Sequence, residues 1–519
     1  MANCFTFKDG ELYCEQLNVK TILSQCEEKF QVPPTPVFVY SKSQINSNIS
    51  AYMQALKQLT CDYQLNYAVK ANPNLSLLKE MRSLGVSATL ISGHEIMLAL
   101  EAGFEPTSLM YNGGGKYPWE TRLAVEHNLL INVDSVWDLR QTIEICQKDF
   151  KEPRQARVML RLNLNIDPAV HKFVNTGTAE SKFGLSREEA DQCLQILAEP
   201  GCPVELVGLH SHLGSTIYQS DVFRASLEKL LEFQSTLIQR GFSNAKMVNI
   251  GGGLGIDYRA NENQTKAWRC ETQSNQAELK ALKDSLTTGQ FDTLGNVDLL
   301  KTALSDYIEE RISFSDLQDT VTTVLAQQPH LKQQIEEFAP CLLSCKPNYV
   351  SPDELIQSIS DLLAGREIKL ILEPGRSLVA NSCVVLARVL GCKQNTHKKF
   401  AIVDASMTEI IRPCLYSAYH HVSIIEGPYS RWQPDSKAVY DVVGPVCESS
   451  DFIAKDRLLP DPTGALAVVH DVGAYCYSMA SNYNIRMRPA EIMVDGSTCC
   501  LIRRPDTFDD FMAPYRNLQ

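Results

Sequence analysis

The chain has 519 residues, is 44% hydrophobic and 21% charged, and carries a formal net charge of −12. That composition predicts a folded protein with one large domain and a second, and its acidity argues against nucleic acid or an anionic membrane as a general partner. No run of about eighteen apolar residues occurs, which argues against a membrane span. The start, MANCFTFKDGELYCEQ, lacks the basic, apolar and small-residue order of a secretory signal. Seventeen scattered cysteines without a CxxC pair point to reduced thiols in a cytosol-like compartment. No metal-ligand spacing such as HExxH is present, so no metal site is expected.

In chain order, PVFVY (36–40) is a first strand, and eight further apolar runs alternate with helical stretches. The runs are YQLNYAVK (63–70), ATLIS (88–92), SLMYNG (108–113), LLINVDS (129–135), RVMLRLN (157–163), ELVGLHSHLG (205–214), AKMVNIGGG (245–253) and IKLILEPGR (368–376). Between them, NLSLLKEMRSLG and SDVFRASLEKLLEFQSTLIQRG carry apolar residues at helical spacing. Eight strand–helix units predict a parallel (β/α)8 barrel over 41–378. The connection from Leu254 to Glu367 is several times an ordinary one and rich in Gln, Asn, Lys and Glu. VDLLKTALSDYIEERI and LKQQIEEF within it predict a helical insertion, about 259–365. Beyond residue 378 the runs SCVVLARVLGCK, KFAIVDAS, AVYDVVGPVCESSD, GALAVVHDVGAYC and PAEIMVDGSTCCLIRR predict a second, mostly β domain. It is expected to span 379–519 and to include residues 1–40.

Chemistry in such a barrel sits at the C-terminal strand ends, and the unusual residues fall there. Lys70 closes the first strand. A lysine at a strand end is commonly a solvated charge; a desolvated amine is also a nucleophile toward aldehydes. His210 and His212 close the sixth strand, where only one of the two is expected to face a ligand, and Ser215 follows in a turn. Gly251, Gly252 and Gly253 close the seventh, where consecutive glycines let backbone N–H groups approach an anion; the plain alternative is a tight turn. The EPGR run after the eighth strand, with Gly375 and Arg376, strengthens the phosphate reading. Glu373 needs a partner if buried: either Arg376, as a structural ion pair, or the protonated nitrogen of a pyridine ring. Cys447, followed by Glu448, lies in a loop between β runs and is a proton donor, a nucleophile or an ordinary thiol.

Taken together, YAVKAN, HSHLGS, GGGLG, EPGRS, CESSD and GAYCYSMASNYN resemble the fold-type III decarboxylases, which use pyridoxal 5′-phosphate. FTFKDGELYCE, SKFGLS, IIRPCLYSAYHH and SMASNYN resemble the diaminopimelate decarboxylase branch. The resemblance covers nearly the whole chain outside 254–367. It implies that Lys70 holds the cofactor as a Schiff base and that His212 stacks on its ring. Ser215, Gly251 to Gly253, Gly375 and Arg376 are implied around the phosphate, with Tyr475 nearby and Glu373 on the ring nitrogen. Arg376, Arg412, Tyr416, Glu448 and Tyr475 are implied to bind substrate, with Cys447 the proton donor. Cys447 and Glu448 are implied to reach the partner subunit's site, which makes the protein a homodimer with shared active sites. The implied reaction is decarboxylation of meso-2,6-diaminopimelate to L-lysine. Arginine, ornithine or carboxynorspermidine as substrate, a non-catalytic regulator and a racemase are the alternatives. Two departures stand out: Thr89 and His94 replace the family's usual aspartate and glycine, and the long connection is absent from most members of the branch. In placement it resembles the helical insertions of the large biosynthetic arginine decarboxylases.

Overall fold

The computed structural model describes residues 4–8, 11–168, 176–177, 180–261, 279, 282–284, 286, 298–309, 314–328, 331, 335, 349–425, 437–516 and 518. Eight strands, Asp62–Ala68, Ser87–Leu90, Met110–Tyr111, Leu130–Val133, Ala156–Arg161, Val204–His210, Met247–Asn249 and Lys369–Leu372, form a closed barrel in sequence order. Every pair is parallel, and the last strand closes on the first with Leu372 opposite Leu65. All eight predicted runs are therefore barrel strands. Short polar side chains turn strand into helix: Asn74, Ser92, Ser135 and Ser186 each cap the helix that follows by accepting from one of its free N–H groups.

The barrel interior changes character along its axis. Met110, Leu130, Met159, Val207 and Ile371 form a buried apolar cluster, with Met247 packed on it. Two residues further along four of these strands stand Asn112, Asn132, Asn249 and Glu373, all buried. Residues two apart on a strand share a face, so the layer nearest the C-terminal mouth is polar where the layer beneath is oily.

Among the described residues the second sheet has nine strands. Its longest, Cys383–Gln394, pairs with Lys399–Val403, with Leu466–Val469 and with Val37–Ser41. Val37–Ser41 also pairs in parallel with Ala490–Asp495, so it is an interior strand of a sheet otherwise built from the C-terminal region. The N-terminal strands Phe5–Lys8, Glu11–Cys14 and Leu17–Asn18 form their own small sheet. Phe5, Leu12, Val37, Val384, Val468 and Ile492 share one apolar core.

Asp257–Asn348 is a separate compact unit. It contains the helices Asp298–Ile308 and Phe314–Gln327 around a core that includes Leu300, Leu304, Leu317 and Val321. Of LKQQIEEF only Leu331 and Ile335 are among the described residues. The expected insertion limit near 365 lies too far along the chain. Helix Pro352–Leu363 belongs with the barrel, where it packs on helices Lys42–Leu56 and Ser220–Gln239 and serves as the outer helix before the eighth strand.

Candidate active site

The site is assembled at the barrel mouth, and Glu373 is its centre. Its carboxylate accepts from Asn249 Nδ2 at 2.8 Å, Thr89 Oγ1 at 2.9 Å and Asn112 Nδ2 at 3.1 and 3.2 Å. His210 Nε2 stands 3.3 Å away. Burial by itself would raise this carboxyl; the neighbouring His210 and the Asn249 amide outweigh burial and hold it at about 2. Glu373 is thus an anion in a low-dielectric place, aimed from the eighth strand end. Arg376, one of the two partners considered for Glu373, bonds elsewhere among the described residues. Its Nη2 and Nε donate to Ser215 Oγ at 3.0 and 3.3 Å, and its guanidinium lies 4.8 Å from the centre of the Tyr475 ring.

Asn249 links the carboxylate to the glycines. Its Nδ2 donates to Glu373 while its Oδ1 accepts from the Gly251 N–H at 2.7 Å. The three glycines are needed sterically. A Cβ on Gly252 would stand 2.0 Å from the Glu373 carbonyl oxygen, and one on Gly253 2.2 Å from that of Gly214. Gly251, at φ +71°, also has a backbone that favours glycine. The turn therefore packs the sixth, seventh and eighth strand ends to within backbone contact.

His212 Nδ1 accepts from the Gly252 N–H at 3.2 Å. That bond requires a lone pair on Nδ1, and burial, then the charges of Lys70, Arg161 and His210, push the ring well below the usual histidine range. His212 is a neutral imidazole. The expectation that only one of the two histidines faces the site is corrected. His210 and His212 are two residues apart, which is the same-face spacing, and both reach the Glu373 neighbourhood.

Lys70 lies on a single 3-10 turn, Val69–Ala71, directly after the first strand. Its side chain is exposed at the mouth. The turn itself is held from the second sheet: Ala71 O accepts from Tyr475 N at 2.8 Å and from Ser478 Oγ at 3.1 Å. Asn72 Nδ2 donates to the Gly473 carbonyl at 3.1 Å. Tyr475 has φ +59°, an uncommon conformation for an aromatic residue. A Cβ on Gly375 would lie 3.3 Å from the Tyr475 hydroxyl and 3.0 Å from the Ala71 Cβ.

Arg412 and Tyr416 bound the short helix Arg412–Tyr416. Arg412 is buried. Burial pushes the Cys476 thiol up to about 11, moderated by the charges of Arg412 and Arg376 and a hydrogen bond with Arg412. Arg412 therefore sits beside the residue that follows Tyr475. Cys447 and Glu448 are exposed: Cys447 N donates to Asn484 Oδ1 at 3.0 Å, and Glu448 Oε1 accepts from Ser450 N at 3.3 Å.

Several groups were not anticipated. Asn112 and Asn249 close barrel strands, a position that could have marked them. Arg161, at the fifth strand end, pairs with Asp134 at 3.0 Å and lies 4.7 Å from the Phe183 ring. The Glu95 carboxyl is pushed up to about 7 by burial, against the Ile91 N–H bond and the charge of Lys70.

This donor set fits pyridoxal 5′-phosphate. An amine stands at the mouth, a buried carboxylate suits a ring N–H, a neutral ring suits stacking, and a guanidinium–hydroxyl pair beside a glycine turn suits phosphate.

The comparisons agree. The family model described as "Pyridoxal-dependent decarboxylase, pyridoxal binding domain" matches residues 42–288. A probable chloroplastic diaminopimelate decarboxylase of Oryza sativa subsp. japonica is 36% identical over 98% of this chain and 84% of its own length. The diaminopimelate decarboxylase of Aquifex aeolicus is 31% identical, covering 98% and 96%. The crystal structure of diaminopimelate decarboxylase from Helicobacter pylori complexed with L-lysine superposes with a TM-score of 0.71 at 28% identity, covering 94% and 98%. On the strength of a closed barrel with this mouth and of full-length relatives, the chain belongs to the diaminopimelate decarboxylase family of pyridoxal-dependent enzymes.

Proposed function

We propose that the protein decarboxylates meso-2,6-diaminopimelate to L-lysine with pyridoxal 5′-phosphate as cofactor. The observation that carries this reading is the buried Glu373 carboxylate, held ionised by three side-chain donors and His210. When bound, the cofactor supplies an electron sink for the pair left at Cα as carbon dioxide departs. The chain does the rest. Lys70 holds the cofactor through its amine. Glu373 keeps a proton on the ring nitrogen, and the neutral His212 covers the ring face. Ser215, Gly251 to Gly253, Gly375, Arg376 and Tyr475 surround the phosphate. Arg412 pairs with the carboxylate at the far end of the substrate, where a guanidinium matches the two oxygens, assisted by Arg376, Tyr416 and Tyr475. A substrate with a basic far end, such as arginine or ornithine, meets that cation unfavourably.

The exposure of Cys447 and Glu448 supports their acting in a second subunit of a homodimer. There the Cys447 S–H delivers its proton to Cα, and the Glu448 carboxylate takes the substrate's distal ammonium. Among the described residues no helix is long and apolar enough to cross a membrane, and the many reduced cysteines support a cytoplasmic enzyme. We take 41–378 as the barrel domain and 1–40 with 379–519 as the second.

The test is carbon dioxide release by the purified enzyme with diaminopimelate, arginine and ornithine. We expect turnover of diaminopimelate alone and a large loss in Arg412→Ala. An unchanged rate in that variant removes the substrate assignment.

A further inference from the structure

Arg412 is buried, and its orientation is set by a neighbour outside the cofactor site. Its Nη1 lies 2.7 Å from His420 Nε2. His420 is fully buried, and its Nδ1 lies 2.9 Å from the carbonyl oxygen of His470. These two partners leave one protonation state. A guanidinium has no acceptor, so Nε2 carries the lone pair; a carbonyl oxygen has no donor, so Nδ1 carries the proton. A proton on Nε2 would set N–H against N–H at the 2.7 Å contact. Burial, then the charges of Arg412, Arg376 and Arg457, push the His420 ring well below the usual histidine range, in agreement with the geometry.

The support behind His420 is also fixed. His470 Nε2 lies 2.9 Å from Ser423 Oγ. The His470 N–H donates to the His421 carbonyl at 2.9 Å, continuing the pairing of Val422 with Val469. The acceptor facing Arg412 is thus anchored to two paired strands.

We propose that His420 is a positioning residue which, as a neutral acceptor, sets the plane of the Arg412 guanidinium and so selects substrates with a carboxylate at the far end. The proposal rests on the reading of Arg412 given above. The chemistry favours imidazole here. A carboxylate at position 420 would neutralise Arg412 and compete with the substrate; a neutral ring orients the cation without cancelling its charge.

The test compares wild type, His420→Leu, His420→Gln and Arg412→Ala as holoenzymes. L-Lysine keeps the far carboxylate and cadaverine lacks it, so the two serve as paired inhibitors. His420→Leu should raise KM for diaminopimelate and the inhibition constant of L-lysine by about tenfold to a hundredfold, the loss of one hydrogen bond to a charged group. It should leave kcat, cadaverine inhibition and cofactor absorbance near wild type. His420→Gln, whose Oε1 accepts in place of Nε2, should recover most of the loss. Unchanged KM and L-lysine inhibition in His420→Leu overturn the proposal. If that variant does not fold, the ring nitrogens of the wild-type holoenzyme decide by 15N resonance: an unprotonated His420 Nε2 supports the proposal and a protonated one overturns it. Full activity of Arg412→Ala removes the reading beneath it; a large loss there with a normal His420→Leu removes this inference alone.

Discussion

The backbone N–H of Tyr475 donates to the carbonyl oxygen of Ala71 at 2.8 Å. The residue after Lys70 is thereby held by the turn that follows strand Leu466–Val469 of the second sheet, more than four hundred positions away in the chain. Asn72 and Ser478 add two more bonds across the same seam. The turn that carries Lys70 is therefore held both by the barrel strand before it and by the segment that follows strand Leu466–Val469.

Lys70 and Cys447 give the first prediction. Borohydride reduction of the holoenzyme followed by digestion should place the cofactor label on the peptide containing Lys70, and Lys70→Ala should carry none. Lys70→Ala and Cys447→Ala should each be nearly inactive alone. Mixed and re-associated, they should recover about a quarter of wild-type activity, because a two-fold dimer of unlike subunits rebuilds one complete site. Label on another peptide, or no recovery on mixing, contradicts the assignment.

The carboxylate at the site's centre should show graded effects. Glu373→Gln replaces a buried anion by a neutral amide and should lower kcat by about 10²–10³-fold with the cofactor still bound. Thr89→Val removes one of its donors and should weaken it by about 1 kcal/mol, a few-fold in rate. Cofactor absorbance and steady-state kinetics distinguish the two. Equal activity of Glu373→Gln and wild type would show that the charge has no role.

The glycine turn gives a stability prediction. A Cβ on Gly252 meets the Glu373 carbonyl oxygen at 2.0 Å, whereas one on Gly391 meets nothing within 4 Å. Gly252→Ala should destabilise the fold by about 3 kcal/mol or more and Gly391→Ala by less than about 1 kcal/mol. Thermal unfolding of the two variants side by side checks the contrast.

Glu95 supplies a pH dependence. Its carboxyl stands at about 7 in the fold, above the ordinary 4.5. The folded state therefore prefers the protonated form. That contribution is present below about pH 4.5 and is lost as pH rises through about 7. Glu95→Gln removes the titration, so wild type should lose stability relative to the variant between pH 5 and pH 8. The loss should be at most about 3 kcal/mol. Melting profiles that stay parallel over this range would rule it out.

Much of the architecture was legible in the residues. Strands of the barrel announce themselves as apolar runs because both faces are buried, and Asn74, Ser92 and Ser135 mark where helices begin after three of them. Lys70, the triple glycine and EPGR stood out because strand ends in such a barrel face one mouth. The helix Pro352–Leu363 was misassigned to the insertion because its amphipathic pattern looks the same whether it covers a barrel or a bundle. Asn112 and Asn249 stand at strand ends and Thr89 at a position where the resemblance leads one to expect an acid, but nothing nearby in the chain tells that all three meet Glu373. They reach Glu373 across 261, 124 and 284 residues of chain.

What the residues determined alone is local: periodicity, helix caps, and turns that only glycine can make, each decided by neighbours a few positions away. What the tertiary structure decided is which polar groups meet. Barrel closure aligns the layer after the apolar cluster, so that amides from separate strands converge on one carboxylate, and the sheet beyond residue 383 sets Arg412 against a neutral His420. Such pairings depend on distances in space that no spacing along the chain encodes.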